Sequence, residues 1–235
     1  MTKVWITLTE PSAARIASQL SRRGFTSVCE SVTEIEFFAP KFSPPDNIRT
    51  PDLLIFLSQH AALHYLDQLH CDAYGASKFL AIGPSTAEIL RRAGLAVVEP
   101  AHASSEGLLA SPLIQNIKAN DQVWIVCGEA GRDILQQSLA TRCNTSTVTL
   151  YRRGIRAVPN KEVADADIIL VGSAQGFIEA AKVWQSVGGN PAVSFIVPSA
   201  RVAELGLELG LTQVVNAGGM SSELLLKAVA RIEHE

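Results

Sequence analysis

The short run "DLLIFLS" at residues 52–58 indicates how this chain folds. Its centre is continuously apolar, which is typical of a strand buried on both faces of a parallel sheet. Comparable runs recur along the chain, separated by segments with the apolar spacing of amphipathic helices, and this alternation predicts an α/β fold with helices on both faces of the sheets. The predicted strands are VWITL (4–8), LLIFLS (53–58), FLAIG (79–83), VWIVCG (123–128), TVTLYR (147–152), IILVGS (168–173) and VSFIVPS (193–199).

The opening run has a second copy, "DIILVGS" at 167–173, and other segments recur with it. The matches keep one order and offsets between 114 and 119 residues, so they predict two copies of one α/β unit. Two such units leave a cleft between them, which is a common place for a ligand site. The other repeated pairs are IGPSTAEILRRAGL (82–95) with IVPSARVAELGLELGL (196–211), SSEGLL (104–109) with SSELLL (221–226), and VWI at 4–6 with VWI at 123–125.

The boundary between the two copies can be drawn in two ways. A direct division falls near residue 119. However, the β-rich runs "SVTEIEFF" (31–38) and "TVTLYRRGIRAV" (147–158) each close a unit that opens with "VWI". If these runs pair as a two-stranded hinge, each domain takes its first unit from one copy and the rest from the other. The residues alone leave both divisions open.

Composition excludes several classes of protein. The chain has 235 residues, of which 47% are hydrophobic and 18% charged, and these values are ordinary for a globular protein. Its net charge of −3 and the lack of a basic tract argue against nucleic acid as a partner. No apolar run approaches the roughly 20 residues of a membrane span, and the N-terminal apolar run is too short for a signal peptide. We therefore expect a cytoplasmic protein without a membrane partner.

The cysteines and histidines give no support for a metal site. None of the four cysteines has CxxC spacing, which argues against a zinc site or a redox pair. His60 and His64 are four residues apart on a predicted helix, but the glutamate of a zincin motif is missing between them. We interpret both as partly exposed helix residues and predict no metal.

Short polar turns follow several predicted strands and precede predicted helices. A helix N-terminus offers free backbone N–H groups and a partial positive charge, so such turns attract anions. In the turn at 83–86, Ser85 and Thr86 are predicted to lie at the helix N-cap, which is also an ordinary stabilising role. In parallel α/β domains these turns cluster outside the carboxyl ends of the strands. The candidate turns lie at 58–60, 83–86, 128–131, 173–176 and 198–199.

Several segments along nearly the whole chain carry a resemblance to a known family. These segments are LTEP near the start, IFLSQHAALHYL (55–66), AIGPSTAEILRRAG (81–94), SSEGLL (104–109), GEAGRDIL (128–135), YRR (151–153), LVGSAQGFIEA (170–180) and the closing SSELLLKAV. By the order and spacing of these segments, rather than by one motif, the chain resembles the uroporphyrinogen-III synthase family.

The resemblance implies a fold, a reaction and a crossed domain division. It implies two similar parallel-sheet α/β domains joined by a two-stranded β ladder, with the active site in the inter-domain cleft. The expected domains are residues 1–36 with 157–235, and the inserted residues 37–156. Such an enzyme is a hydro-lyase that cyclises hydroxymethylbilane to uroporphyrinogen III, inverting the last pyrrole ring and losing water. It uses no cofactor or metal, and we expect a monomer.

The resemblance also implies a role for Tyr151, which ends a strand at the proposed hinge. It matches a tyrosine thought to assist loss of the hydroxymethyl oxygen, and a hydroxyl there can donate a proton to that oxygen. A phenol keeps its proton at neutral pH, which suits this role. The structural alternative is an aromatic residue packed at a domain junction. We predict Tyr151 as the catalytic residue.

The polar turns then become candidate sites for the carboxylates of the substrate rather than for phosphate. Arg152 and Arg153 are further cationic candidates, and Arg132 opposes the dipole of the helix that it begins, which favours a functional role. The predicted substrate-binding residues are Ser58, Ser85, Thr86, Gly128, Arg132, Ser173 and Ser199.

Two functions of other classes fit parts of the pattern. A two-lobed small-molecule-binding protein without catalytic activity has the same architecture, although most such binders are exported. A pair of receiver-like signalling domains would require acidic clusters at the strand ends, where this chain has Ser58, Gly83, Gly128 and Ser173. Formation of the type III isomer from hydroxymethylbilane discriminates the enzyme from both.

Overall fold

Two compact units make up the chain in a computed structural model that describes residues 1–38, 51–68, 77–129, 133–158 and 161–233. Unit 1 comprises Met1–Glu34 and Gly154–Glu235, and unit 2 comprises Ile35–Arg153. The chain therefore passes from one unit to the other twice. The boundaries expected from the sequence, after residues 36 and 156, lie two and three residues further along the chain. As a statement about separate domains, that division stays a prediction.

Strands and helices alternate through most of both units, as the apolar pattern predicts. The elements in chain order are β1 (Lys3–Ile6), α1 (Ser12–Ser21), β2 (Thr26–Cys29), β3 (Thr33–Phe37), β4 (Leu53–Phe56), α2 (Gln59–Gln68), β5 (Lys78–Ala81), α3 (Pro84–Arg92), β6 (Val97–Val98), α4 (Ser105–Leu109), α5 (Pro112–Gln115), β7 (Gln122–Gly128), α6 (Ile134–Ala140), β8 (Asn144–Ile155), β9 (Ile168–Leu170), α7 (Ala174–Ser186), β10 (Ser194–Val197), α8 (Ala200–Glu208), β11 (Val214–Asn216) and α9 (Ser222–Glu233).

Each unit is built on one sheet whose core strands are parallel. In the described residues, the sheet of unit 1 has the order β11-β10-β9-β1-β2, and the second sheet has the order β3-β8-β7-β4-β5-β6. Strand β1 pairs with β9 in the register Trp5↔Ile169, whereas β4 pairs with β5 and β7. The first strand thus lies in one sheet with β9 and not beside β4, as the crossed division that the resemblance implies requires.

The strands of the two sheets have the same order in space, but the chain enters the two sheets at different strands of that order. When β9, β10, β11, β1 and β2 are matched with β4, β5, β6, β7 and β8, the spatial orders coincide. Asp52 and Asp167, which open the repeated runs, make the same pair of contacts. The Asp52 carboxylate accepts from the backbone N–H of Gln122 at 2.8 Å, and the Asp52 N–H donates to the Gln122 carbonyl at 2.9 Å. Asp167 and Lys3 repeat both distances, so the sequence repeat is a structural repeat.

Apolar side chains pack on both faces of each sheet. In unit 1, Val4 and Ile6 of β1 join a cluster with α1 and α9, while Trp5 between them joins a cluster with α7 and α8. This division follows from the alternation of side chains along a strand. In unit 2, Leu54 and Phe56 pack with α2 and α3, and the intervening strand residues pack with α4, α5 and α6. Burial on both faces explains the uninterrupted apolar runs.

The strands β3 and β8 form the predicted ladder, and both run across the boundary between the units. Phe38 donates its backbone N–H to the Leu150 carbonyl at 3.1 Å, and Arg156 donates to the Val32 carbonyl at 3.0 Å. The residue numbers run in opposite directions in these two bonds, so the pairing is antiparallel. The prediction that 31–38 pairs with 147–158 is confirmed.

Candidate functional site

Three of the predicted turns of unit 2 lie at one edge of its sheet. They follow the adjacent parallel strands β7, β4 and β5, whose carboxyl ends share an edge. From β4 the chain proceeds outward to β5 and β6 on one side, and β7 lies on the other side. The carboxyl edge at such a reversal of strand order is where open α/β sheets bind ligands. It therefore locates the candidate site of this unit.

A hydrogen bond joins the predicted catalytic residue to one of the predicted binding residues. The Tyr151 hydroxyl donates to Ser58 Oγ at 2.9 Å, and Tyr151 is only 5% exposed. Ser58 Oγ also accepts the backbone N–H of Ala61 at 3.1 Å and so caps α2. Because this oxygen accepts from two donors, its own hydrogen remains to be donated to a bound ligand. The pair thus presents a proton donor at the carboxyl edge.

Gly128 allows the Tyr151 ring to lie close to the backbone of β7. A Cβ atom on Gly128 would be 2.5 Å from Tyr151 Cζ, which is far inside van der Waals contact. The register of β7 and β8 shifts between Cys127 and Gly128, and Glu129 donates its backbone N–H to the Tyr151 carbonyl at 2.7 Å. These contacts fix both the ring and the backbone of Tyr151. The structure thus gives Gly128 a role in close packing, and its predicted contact with substrate stays a prediction.

His60 is packed against Tyr151 from the first turn of α2. The two ring centroids are 5.6 Å apart at an interplanar angle of 66°, and His60 is buried. Burial, together with the positive charge of Arg153, lowers the pKa of His60 from 6.5 to about 4. The imidazole is therefore neutral at pH 7, and it contacts the tyrosine as an uncharged ring. The prediction that His60 is a partly exposed helix residue is wrong, because its ring packs against Tyr151 inside unit 2.

The two neighbouring arginines differ in their partners. Arg152 forms an ion pair with Glu36, with Nη2 2.6 Å from Oε2, and this hydrogen-bonded carboxylate raises the pKa of the Arg152 guanidinium. Arg153 is exposed, and its charge acts on His60. Alternate residues of a strand share a face, so Arg153 lies on the face of Tyr151. Arg153 is thus the better placed cation for an anionic ligand near Tyr151.

The structure corrects the predicted cap of the helix at 83–86. Helix α3 begins at Pro84, its N-cap is Gly83 in an extended conformation, and no side chain caps it. Proline is favoured at the first helical position because its missing N–H would have no partner there. Ser85 and Thr86 consequently lie inside the first turn rather than at the cap. Thr86 is 4% exposed, so it presents only a small surface to a ligand.

The predicted binding serines of unit 1 are both helix caps. Ser173 accepts the backbone N–H of Gly176 at 3.1 Å at the start of α7, and Ser199 accepts that of Val202 at 3.4 Å at the start of α8. The predicted strands 168–173 and 193–199 end earlier than expected for this reason, since their last residues turn into the caps. Capping is compatible with a further contact to a ligand, which stays a prediction.

Arg132 lies outside the described residues, so its predicted role has no structural test here.

Within the described part of the chain, no three His, Cys, Asp or Glu side chains are grouped as a metal ion would require. None of the helices described is both long and apolar enough to span a lipid bilayer.

Comparisons with known proteins point to one family. A family model described as "Uroporphyrinogen-III synthase HemD" matches residues 14–225. A curated relative from Salmonella typhimurium strain LT2, named uroporphyrinogen-III synthase, is 30% identical, and the alignment covers 95% of this chain and 99% of the relative.

Solved structures show the same fold. Uroporphyrinogen-III synthetase from Helicobacter pylori 26695 aligns with a TM-score of 0.64 at 14% identity, over 99% of this chain and 100% of that chain. A mutant uroporphyrinogen III synthase from the extremely thermophilic bacterium Thermus thermophilus aligns with a TM-score of 0.54 at 15% identity, over 100% of both chains. At this identity the likeness establishes the α/β fold, and the family rests on the sequence matches.

Proposed function

Since the chain belongs to the uroporphyrinogen-III synthase family, cyclising lyases of tetrapyrrole biosynthesis, we propose how its own residues act. The substrate is hydroxymethylbilane, and the product is uroporphyrinogen III with the last pyrrole ring inverted. The observation that carries the assignment of the site is the hydrogen bond from Tyr151 to Ser58 at the carboxyl edge of the second sheet.

The hydroxyl pair assists departure of the hydroxymethyl oxygen. The C–O bond breaks and its electron pair stays on the oxygen. The lone pair of the pyrrole nitrogen stabilises the positive charge on the carbon, which gives an azafulvenium cation. Ser58 donates its hydrogen to the leaving oxygen, Tyr151 donates to Ser58, and the oxygen leaves as water. The azafulvenium carbon bonds to the substituted α-carbon of the last ring, and the bond from that carbon to its existing methylene bridge breaks, which leaves a second azafulvenium cation on the neighbouring ring. The free α-carbon of the inverted last ring then bonds to this second cation and releases its proton, which restores the phenol. The balance is loss of one water.

The uncharged state of His60 suits this step. An imidazolium in contact with Tyr151 would repel the developing azafulvenium cation, whereas the neutral ring carries no charge that opposes it. Burial keeps it neutral at the pH of the cytoplasm. We therefore assign no proton transfer to His60. Its contribution is to stay uncharged beside Tyr151, and this depends on its buried position in unit 2.

Substrate carboxylates are bound by polar turns and by Arg153. Backbone N–H groups at the start of α3, with Ser85 and Thr86, attract anions through the helix dipole. The Gly128 turn, Arg132 and the capping residues Ser58, Ser173 and Ser199 are proposed as further contacts. Because Thr86 is not a cap, Thr86→Val should weaken product binding a few-fold without loss of stability. Isothermal titration with product and thermal unfolding measure the two effects separately.

The remaining properties are also proposals. We propose that the enzyme works without a cofactor or a metal, as a cytoplasmic monomer, and has no nucleic-acid or membrane partner. The negative net charge and the lack of a basic tract support the absence of nucleic acid. Analytical ultracentrifugation at the protein concentration of the activity assay measures the molar mass and so tests whether the protein is a monomer.

Incubation with freshly prepared hydroxymethylbilane tests the function. Oxidation of the products followed by chromatography separates the porphyrin isomers. Spontaneous cyclisation yields isomer I, so we expect isomer III in excess only when the protein is present. A protein that bound the substrate but left the spontaneous isomer I unchanged would be the small-molecule binder instead of the enzyme.

A further inference from the structure

Phe37, the last residue of β3, is an exposed aromatic side chain beside the candidate site. It is 46% exposed, although it lies on an apolar face of unit 2. Its ring is 6.2 Å from the Tyr151 ring, centroid to centroid, at an interplanar angle of 68°. An exposed phenyl ring at this position adds less to core stability than a buried one, since much of its surface stays in water.

A second ring holds Phe37 in place. His64 of α2 stacks on Phe37 with centroids 4.6 Å apart and planes 20° apart. His64 Nε2 is 3.1 Å from the Phe38 carbonyl oxygen, and because a carbonyl only accepts, Nε2 carries the hydrogen and donates it. The bond fixes the plane of His64 and therefore that of Phe37. With one face of its ring on His64 and the Tyr151 ring nearby, Phe37 still exposes 46% of its surface.

A flat, electron-rich ligand ring fits such a surface. Pyrrole rings are planar π-systems that stack on aromatic side chains or meet them edge to face, at centroid separations of about 4.5–7 Å. The face of a phenyl ring also attracts a nearby cation, which here includes an azafulvenium. Phe37 and Tyr151 lie in adjacent ring contact, so a pyrrole on Phe37 brings its substituents to the Tyr151 and Ser58 hydroxyls.

We propose that the exposed surface of Phe37 binds a pyrrole ring of the substrate, the one that bears the hydroxymethyl group, and sets that group beside the hydroxyl pair. This inference rests on the proposed function and adds a binding contact of a different kind, an aromatic stack rather than a carboxylate contact. It gives a reason why an apolar ring that is stacked on His64 lies exposed to water beside Tyr151.

Phe37→Leu and Phe37→Trp test the proposal in the full chain. The leucine substitution removes the ring but keeps an apolar side chain, and it should raise KM for hydroxymethylbilane roughly three- to tenfold. It should also raise the share of isomer I, because a poorly held azafulvene cyclises without inversion. The tryptophan substitution keeps an aromatic face and should restore both values. Leu63→Ala on α2, which alters another exposed apolar residue, is the matched control and should leave both values unchanged.

The outcomes separate this inference from the function itself. A wild-type protein that forms no isomer III overturns both. A wild-type protein that forms isomer III, with Phe37→Leu equal to it in KM and isomer ratio, overturns the stacking contact alone. Thermal unfolding of each variant verifies the fold. If Phe37→Leu unfolds, Phe37→Trp decides: a folded variant with wild-type KM supports the stack, and one with raised KM contradicts it.

Discussion

The carboxyl edges of the two units differ although their sheets have the same strand order after a cyclic shift. In unit 2, Ser58 caps a helix and also accepts the Tyr151 hydroxyl. In unit 1, Ser173, which occupies the equivalent place in the repeat, caps a helix, and that unit contains no tyrosine. One fold thus carries a hydrogen-bonded pair of hydroxyls, Tyr151 and Ser58, in one copy, whereas the equivalent serine of the other copy caps a helix.

This difference separates two things: the framework, which is the set of backbone contacts that the two sheets share, and the chemistry that is proposed for unit 2. The framework is conserved between the copies in the Asp52 and Asp167 contacts at the opposite ends of the strands. The proposed chemistry rests on Tyr151 of β8 in unit 2, whose ring lies over Gly128 and against His60. We therefore expect some substitutions to remove the proposed chemistry and leave the framework intact. Others should weaken the framework and leave the proposed chemistry unchanged.

The strongest test of this asymmetry is Tyr151→Phe, which removes one hydroxyl and little volume. General acid catalysis contributes about 10²–10⁴-fold, and because the substrate also dehydrates unaided, we expect a fall in kcat near 10² or less. Product affinity should stay close to that of the wild type. Initial rates of isomer III formation and isothermal titration with product measure the two. An unchanged rate would assign Tyr151 to packing and leave the units equivalent in chemistry.

His60 gives unit 2 a pH dependence that can be measured as stability. Its pKa is about 4 in the folded protein, against 6.5 in the absence of burial. Between these values the unfolded chain binds a proton that the folded chain does not, so this residue lowers stability as pH falls below 6.5. From neutral pH to about pH 5 the loss is about 2 kcal/mol. His60→Phe should abolish that loss.

Denaturant unfolding at about pH 7.5 and pH 5 measures the effect for both proteins. Other titrating groups are common to the two chains, so the difference between the two pH-dependent changes reports His60. Equal changes in wild type and His60→Phe would show that the folded imidazole takes up a proton as easily as the unfolded one.

Ser58→Ala and Ser173→Ala compare equivalent caps in the two units. Each should cost about 1 kcal/mol of stability through the lost cap. Only Ser58→Ala also removes the hydroxyl that is proposed to donate to the leaving oxygen and to accept from Tyr151, so it should lower kcat by about tenfold or more, while Ser173→Ala should change KM and not kcat. Steady-state kinetics with each variant well below its unfolding midpoint decide this. A similar fall in kcat for both serines would remove the asymmetry.

The smallest expected effects concern the repeated framework itself. Asp52→Asn and Asp167→Asn each replace a carboxylate acceptor of a backbone N–H by an amide oxygen, at an exposed position. Each should cost about 1 kcal/mol or less of stability, and the two losses should be similar. Thermal unfolding gives both values. A large loss for one and none for the other would mean that the two contacts are not equivalent.

The sequence by itself determined the fold class and the repeat, and the family resemblance indicated the crossed strand order. Continuous apolar runs such as 53–58 require strands buried on both faces, and this requirement is local to the strand. The matching runs at 52–58 and 167–173 revealed two copies because the same contacts select the same residues in each. Family resemblance then indicated Tyr151 and its reaction.

Only the tertiary structure decided which of these residues meet. Ser58 and Tyr151 are 93 positions apart, and their hydrogen bond depends on the order of β4, β7 and β8 in the sheet. The start of α3 was misplaced from the sequence because Pro84 and Ser85 are both favourable near a helix N-terminus, and backbone geometry chose Gly83 as the cap. The contacts of Phe37, His60 and His64 have no periodic signal, since packing between a strand end and a helix is set by three-dimensional proximity.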